Sequence, residues 1–132
     1  MLTFSNAAFA SETKTHQLDS NAIAINPATQ KLVLKAKFKS VGSELSYAAF
    51  GILNFKDDQD IGISYVGSAF QPSKDDWEEK EGTIEGVSDD TTNSMTFNPE
   101  ANSFKMTVIA NYDDKDGQIM MWKDCNYEIV DI

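Results

Sequence analysis

The chain has 132 residues, a formal net charge of −10, and 11 basic residues that are all lysine. Leu, Ile, Val and Phe supply 30 of the 132 residues, above the ~20% level below which disorder is the default, and a chain of this length can bury about two-thirds of its unfolded surface as one domain. The lack of arginine removes the planar fork that reads phosphate and guanine, and the negative charge repels a phosphate backbone, which excludes nucleic acid as a partner.

From the N-terminus, Ala8-Phe9-Ala10 has the form of a signal-peptidase site. A secretory leader needs a basic start and an unbroken apolar stretch, whereas the nine residues ending at Phe9 hold no Lys or Arg and are interrupted by Thr3, Ser5 and Asn6. Leu2-Thr3-Phe4 is therefore expected to be a tethered first strand, and residues 5–20 a long polar connection with at most one helical turn. No run of about 18 apolar residues follows, so no membrane-inserted helix is expected.

Residues 31–39 read Lys-Leu-Val-Leu-Lys-Ala-Lys-Phe-Lys. The period of two puts Leu32, Leu34, Ala36 and Phe38 on one face and Lys31, Lys35, Lys37 and Lys39 on the other, the mark of a half-buried antiparallel strand. The lysine row reads as a solvated face that discourages edge pairing, or as a patch for an acidic partner. Residues 45–53 are apolar or aromatic at both parities, as a strand covered on both faces at the centre of a sheet requires. Further strand-like runs lie at 61–66, 83–87, 94–97, 104–112 and 119–130. Turn chemistry separates them at Asp57-Asp58-Gln59-Asp60, Gln71-Pro72-Ser73, residues 89–93, Asn98-Pro99-Glu100 and Asp116-Gly117. Short strands at this spacing, without a sustained 3.6-residue pattern, predict an all-β fold: one antiparallel β-sandwich or jelly roll spanning 1–132.

The residues that carry chemistry are few. One Cys125 and one His16 cannot build a structural zinc site, and Cys125 reads as a buried small apolar residue. An EF-hand needs Asp, Gly and Glu at loop positions one, six and twelve. Gly117 at six puts Tyr112 at one and Lys123 at twelve, and Gly62 at six puts Ile61 at five, so both registers fail. No G-x-S-x-G elbow and no Gly-rich phosphate loop occurs, and a pair of carboxylates among 21 at glycosidase spacing is inevitable, hence uninformative. An enzyme is not expected. Sugar rings dock on half-wet aromatic side chains, for which Tyr47, Tyr65, Trp77, Tyr112 and Trp122 are candidates, with Asn111 and Gln118 as polar partners; Trp77 and Trp122 also read as packing residues.

The run from Trp77 through Gly82-Thr83-Ile84-Glu85-Gly86, then Asn111-Tyr112 and Trp122-Lys123-Asp124, resembles the closing half of galactose-binding-like jelly rolls found in carbohydrate-binding modules and in phage tail and surface proteins. Residues 22–27, 38–43 and 47–53 fall in the order seen in phage-borne modules. The resemblance implies a structural calcium ion at Asp124, matched to a final-strand Asp, with Glu12 or Asp19 as partners. It also implies a non-enzymatic role as a virion protein, in capsid decoration or in a tail. Such a protein would sit at the virion surface, contact capsid or tail subunits and host glycans, and use the apolar Leu2, Phe4 and Phe9 for assembly or homo-oligomerisation. The alternative is an extracellular carbohydrate-binding module of a secreted glycan-degrading enzyme, or a bacterial surface adhesin.

Overall fold

A computed structural model describes residues 2–4, 7–10 and 15–17 as backbone, and residues 21–40, 47–67, 69–73, 76–89, 95–109 and 119–132. Ten strands follow in chain order: β1 (Leu2–Phe4), β2 (Ala7–Ala10), β3 (Thr15–Gln17), β4 (Ile23–Ala24), β5 (Gln30–Ser40), β6 (Ala49–Lys56), β7 (Gln59–Tyr65), β8 (Glu78–Ile84), β9 (Ser103–Ile109) and β10 (Ile119–Asp131). They form two five-stranded sheets. Sheet A runs β1-β10-β5-β8, with β2 also on β10; sheet B runs β3-β9-β6-β7, with β4 on β9. Every strand pairing is antiparallel, and no helix occurs among the described residues. The molecule is the all-β jelly-roll sandwich that the spacing of apolar runs predicts.

The core lies between the sheets and is built by the inward half of each alternating strand. Leu32, Leu34, Ala36 and Phe38 of β5 are 0% exposed, each larger side chain contributing about 1.5–3 kcal/mol through burial. They meet Phe50 and Ile52 of β6 and Phe104, Met106 and Val108 of β9. Phe38 packs edge-on against Phe50 with centroids 5.5 Å apart, and Phe104 against Tyr127 at 5.4 Å, so aromatic pairs tie sheet A to sheet B. As expected, β6 sits inside its sheet with both faces covered.

One polar group is buried here by design of its neighbours. Asn54, fully buried, donates to Gly62 O (3.2 Å) and Ser64 Oγ (2.9 Å) and accepts from Asn98 N at 3.1 Å. Satisfying these bonds removes the penalty of a buried amide and clamps the 95–100 segment onto the β6–β7 hairpin. That hairpin turns on Asp57 and Asp58 alone (φ 50° and 69°). Gln59 and Asp60 already belong to β7, and two left-handed residues give the twist such a turn needs.

Several expectations are corrected. The N-terminal 5–20 segment holds β2 and β3 instead of a plain connection, because β10 and β9 offer these short stretches a partner edge. β5 is an interior strand between β10 and β8, so its lysines do not guard an edge. The strand expected at 83–87 begins at Glu78. In place of a strand at 94–97 there is one bridge, Val87 to Phe97; residues 91–94 lie outside the described set, as do most of the 89–93 turn and Asp116-Gly117.

Candidate functional site

The outer face of sheet B is fixed by the inward turn of Phe50, Ile52 and Asn54. Residues of the other parity on β6, namely Ala49, Gly51, Leu53 and Phe55, must face away from the core, and Tyr47 extends that row. Across the register, Gly51 stands opposite Tyr65 and Thr107, and Leu53 opposite Ile63 and Lys105. The row itself is nearly closed off (Ala49 4%, Leu53 5%, Phe55 7% exposed), whereas Tyr47 is 45% exposed and Ile63 and Tyr65 are half-buried. Lys105 places its ammonium 4.8 Å from the Phe55 ring centroid. The result is an apolar floor with two tyrosines along its margin.

Gly51 is indispensable to this geometry. A Cβ built there would overlap the Ser64 carbonyl oxygen and lie 3.0 Å from Tyr65 Cα, so the backbone of β7 occupies the space a side chain would need. The close approach sets Tyr65 against a bare stretch of β6.

The outer face of sheet A differs in kind. Lys35 lies 3.7 Å from Glu79 and 3.8 Å from Glu81, and Lys37 3.5 Å from Asp124. Together with Val33, Asn126 and Glu128 these residues line a groove of about 420 Å³. Beside it, Lys123 Nζ sits 4.2 Å over the Trp77 ring. Asp124 owes its position to a β-bulge: pairing with β5 slips between Lys123 and Asn126, and Asp124 takes φ 52°. Asp tolerates this left-handed conformation better than most residues.

The candidate residues thus scatter. Tyr47 and Tyr65 come together on sheet B, and Trp77 adjoins the sheet A groove. Trp122 is a core residue, 1% exposed and packed with Phe38 and Met120 in the inter-sheet cluster, so its ring is withdrawn from any sugar. The bulge is the reason: it shifts the parity of β10, leaving Trp122 inward while Asn126 and Glu128 line the outer groove. Asn111, Tyr112 and Gln118 lie outside the described residues.

Of the calcium set, Asp124 pairs with Lys37, Glu12 and Asp19 lie outside the described residues, and among the described residues no group of three His, Cys, Asp or Glu side chains could hold a metal. For the assembly set, the structure gives backbone only. Leu2 stands opposite Tyr127, Phe4 opposite Cys125 and Phe9 opposite Met120, so the N-terminal segment is part of sheet A. Cys125 is buried; burial, and to a lesser degree the charge of Asp124, pushes its thiol from 9.0 up to about 12, which leaves it a neutral packing group. Gly51, Lys105 and Thr107 were not singled out from the sequence. The available signal was the parity of 47–53, with a glycine where every neighbour carries a side chain.

No protein-family model matches the chain, and no curated protein sequence does. Solved structures do. The CBM22-1 xylan-binding domain of Paenibacillus barcinonensis Xyn10C superposes with a TM-score of 0.55 at 10% identity, covering 100% of this chain and 99% of that one. The CBM22-1-GH10 modules of Clostridium thermocellum Xyn10B, complexed with xylohexaose, give 0.51 at 6% identity over 96% of this chain and 28% of that one. A chain of infectious bursal disease virus, Gx strain, covered over 39% of its length by 98% of this one, reaches only 0.45 at 10% identity, too distant to argue for a virion. By its two antiparallel sheets and end-to-end superposition, the chain has the jelly-roll fold of carbohydrate-binding modules.

Proposed function

We propose that this protein is a non-catalytic carbohydrate-binding domain that takes a neutral polysaccharide chain on the outer face of sheet B. One observation carries the reading: the 45% exposed Tyr47 and the half-buried Tyr65 share that face, with the Lys105 ammonium over the neighbouring Phe55 ring. Tyrosine joins an apolar ring to a hydroxyl, matching a sugar whose C–H face is apolar and whose rim is polar. Tyr47 and Gly51, which faces Tyr65, are four residues apart, about 13 Å at the usual rise per residue, room for a short run of sugars. The jelly-roll neighbours include a xylan-binding domain and a module pair bound to xylohexaose, so xylan is the first ligand to try. The carbohydrate-binding alternative is preferred to virion assembly because the two neighbours described above with a TM-score over 0.5 both contain CBM22 modules.

The test is affinity electrophoresis and calorimetry of the whole chain with soluble xylan, glucomannan and mixed-linkage β-glucan. Tyr47→Ala and Tyr65→Ala should each weaken binding about tenfold, equivalent to ~1.4 kcal/mol, with unchanged melting. Unaltered affinity in both variants would remove the site from this face, and no binding to any of the three polysaccharides would end the reading.

A further inference from the structure

The groove on the outer face of sheet A is left unused by the function proposed above, and its chemistry is specific. Three ion pairs there span 3.5–3.8 Å, beyond the 2.7–3.2 Å of a full N–H···O bond. Their ammonium protons and carboxylate lone pairs are therefore only partly spent. A ligand hydroxyl both donates and accepts, so a surface on which lysines alternate with carboxylates offers each hydroxyl one partner of either kind, through the stronger charge-assisted bonds. Val33 in the same groove supplies apolar floor, and the volume of about 420 Å³ falls in the range of small-ligand sites.

The bulge is a second, independent observation. A regular strand would place one β10 residue opposite Ala36; here Asp124 and Cys125 share that place, so Cys125 stays in the core while Asp124 is added to the outer face at φ 52°. Bulges re-aim side chains, and left-handed non-glycine backbone gathers at ligand sites. Asn126 Nδ2 donates to the Asp124 carbonyl at 3.0 Å, fixing the turn of chain that presents the carboxylate.

We infer that this groove is a second binding site for an uncharged polyhydroxylated ligand, so that the sandwich holds one glycan chain on each outer face. Charge selects the class. The groove carries Glu79, Glu81, Asp124 and Glu128 against Lys35 and Lys37, and the chain as a whole is at −10, so a polyanion is repelled from both directions. The inference rests on the glycan reading for its ligand but not for its residues.

The experiment is a titration of the whole protein, labelled for amide NMR, with an oligosaccharide of whichever polysaccharide binds best, with stoichiometry from calorimetry. Two sets of shifts are expected, one at Gly51, Ile63 and Tyr65 and one at Val33, Lys35 and Asn126. Tyr47→Ala/Tyr65→Ala should lose the first set and keep the second at half the stoichiometry. Lys35→Ala/Glu81→Ala should do the reverse, with at least a tenfold loss at the groove. Polygalacturonate should shift neither set. A single set confined to sheet B overturns this inference and leaves the proposed function standing; a single set confined to sheet A does the opposite. No shift with any glycan sinks both, and groove shifts with polygalacturonate would overturn the ligand class.

Discussion

The two outer faces of this sandwich start from the same rule and end as opposite surfaces. On β5, every second residue enters the core and the rest face outward as Lys31, Val33, Lys35, Lys37 and Lys39, of which Lys35 and Lys37 find carboxylates on β8 and β10. On β6, the outward set is Ala49, Gly51, Leu53 and Phe55, nearly as buried as the inward one. Inner faces are constrained by the shared core and so resemble each other, while outer faces are free to differ. An outer face can therefore change without disturbing the core, and breaking one should leave the other intact.

The largest effect should come from the residue that supports both faces. Trp122→Ala is expected to cost about 3–5 kcal/mol, from lost burial plus a cavity, read as a lowered urea midpoint. Were Trp122 a sugar platform, the same change would weaken glycan binding and leave the midpoint alone. Gly51→Ala comes next and strikes only sheet B. The obstacle is the Ser64 and Tyr65 backbone, which cannot rotate aside, so about 1–3 kcal/mol of overpacking cost is expected, with NMR shift changes concentrated on β6 and β7. Full stability in that variant would mean that β7 is not held so close to β6.

Much of this comparison can be read in the sequence, and the part that cannot has a physical cause. Lys31 to Lys39 announces itself because one of its faces is wet and one dry. Its neighbour β8 does not: Glu78-Glu79-Lys80-Glu81 has poor strand propensity and becomes a strand because β5 offers its backbone a partner from Phe38 to Leu32, a partner that exists only after folding. Ala7–Ala10 and Thr15–Gln17 are strands for a similar reason, lent by the edges of β10 and β9. Of the aromatic candidates chosen by chemistry alone, Tyr47 and Tyr65 fall on one outer face, whereas Trp122, which looked equally suitable, is buried in the core. Its true place depends on the Asp124 bulge, which breaks the count of two along β10 and leaves no local signal.

At neutral pH a further effect is silent and appears only on the alkaline side. Cys125 lies on the inner side of sheet A, with its thiol pushed from 9.0 up to about 12. The folded state thus holds its proton more tightly than the unfolded chain, so this contribution to stability is complete below about pH 9 and is lost as pH rises toward 12. The slope between those values is at most about 1.4 kcal/mol per pH unit. Cys125→Ala should flatten the alkaline limb of the stability curve. An unchanged limb would assign alkaline unfolding to other groups.

The smallest effect should come from the charged lattice itself. Lys35 bridges Glu79 and Glu81, but its side chain is 43% exposed and theirs 42% and 55%, so water screens the attraction and the ordering of long side chains offsets much of it. Exposed pairs of this kind contribute about 0–1 kcal/mol, and Lys35→Met keeps the aliphatic stem that lies along the sheet. The variant should therefore melt within about 0.5 kcal/mol of the parent, and added salt should narrow that difference. A loss several times larger would mean that the lattice is structural, holding β8 onto β5, and the sheet A face would then need no ligand to explain its charges. A near-silent substitution leaves about 13 Å of ordered charge, four residues of strand at the usual rise, without a stabilising role, which is the condition under which a binding role for that face has force.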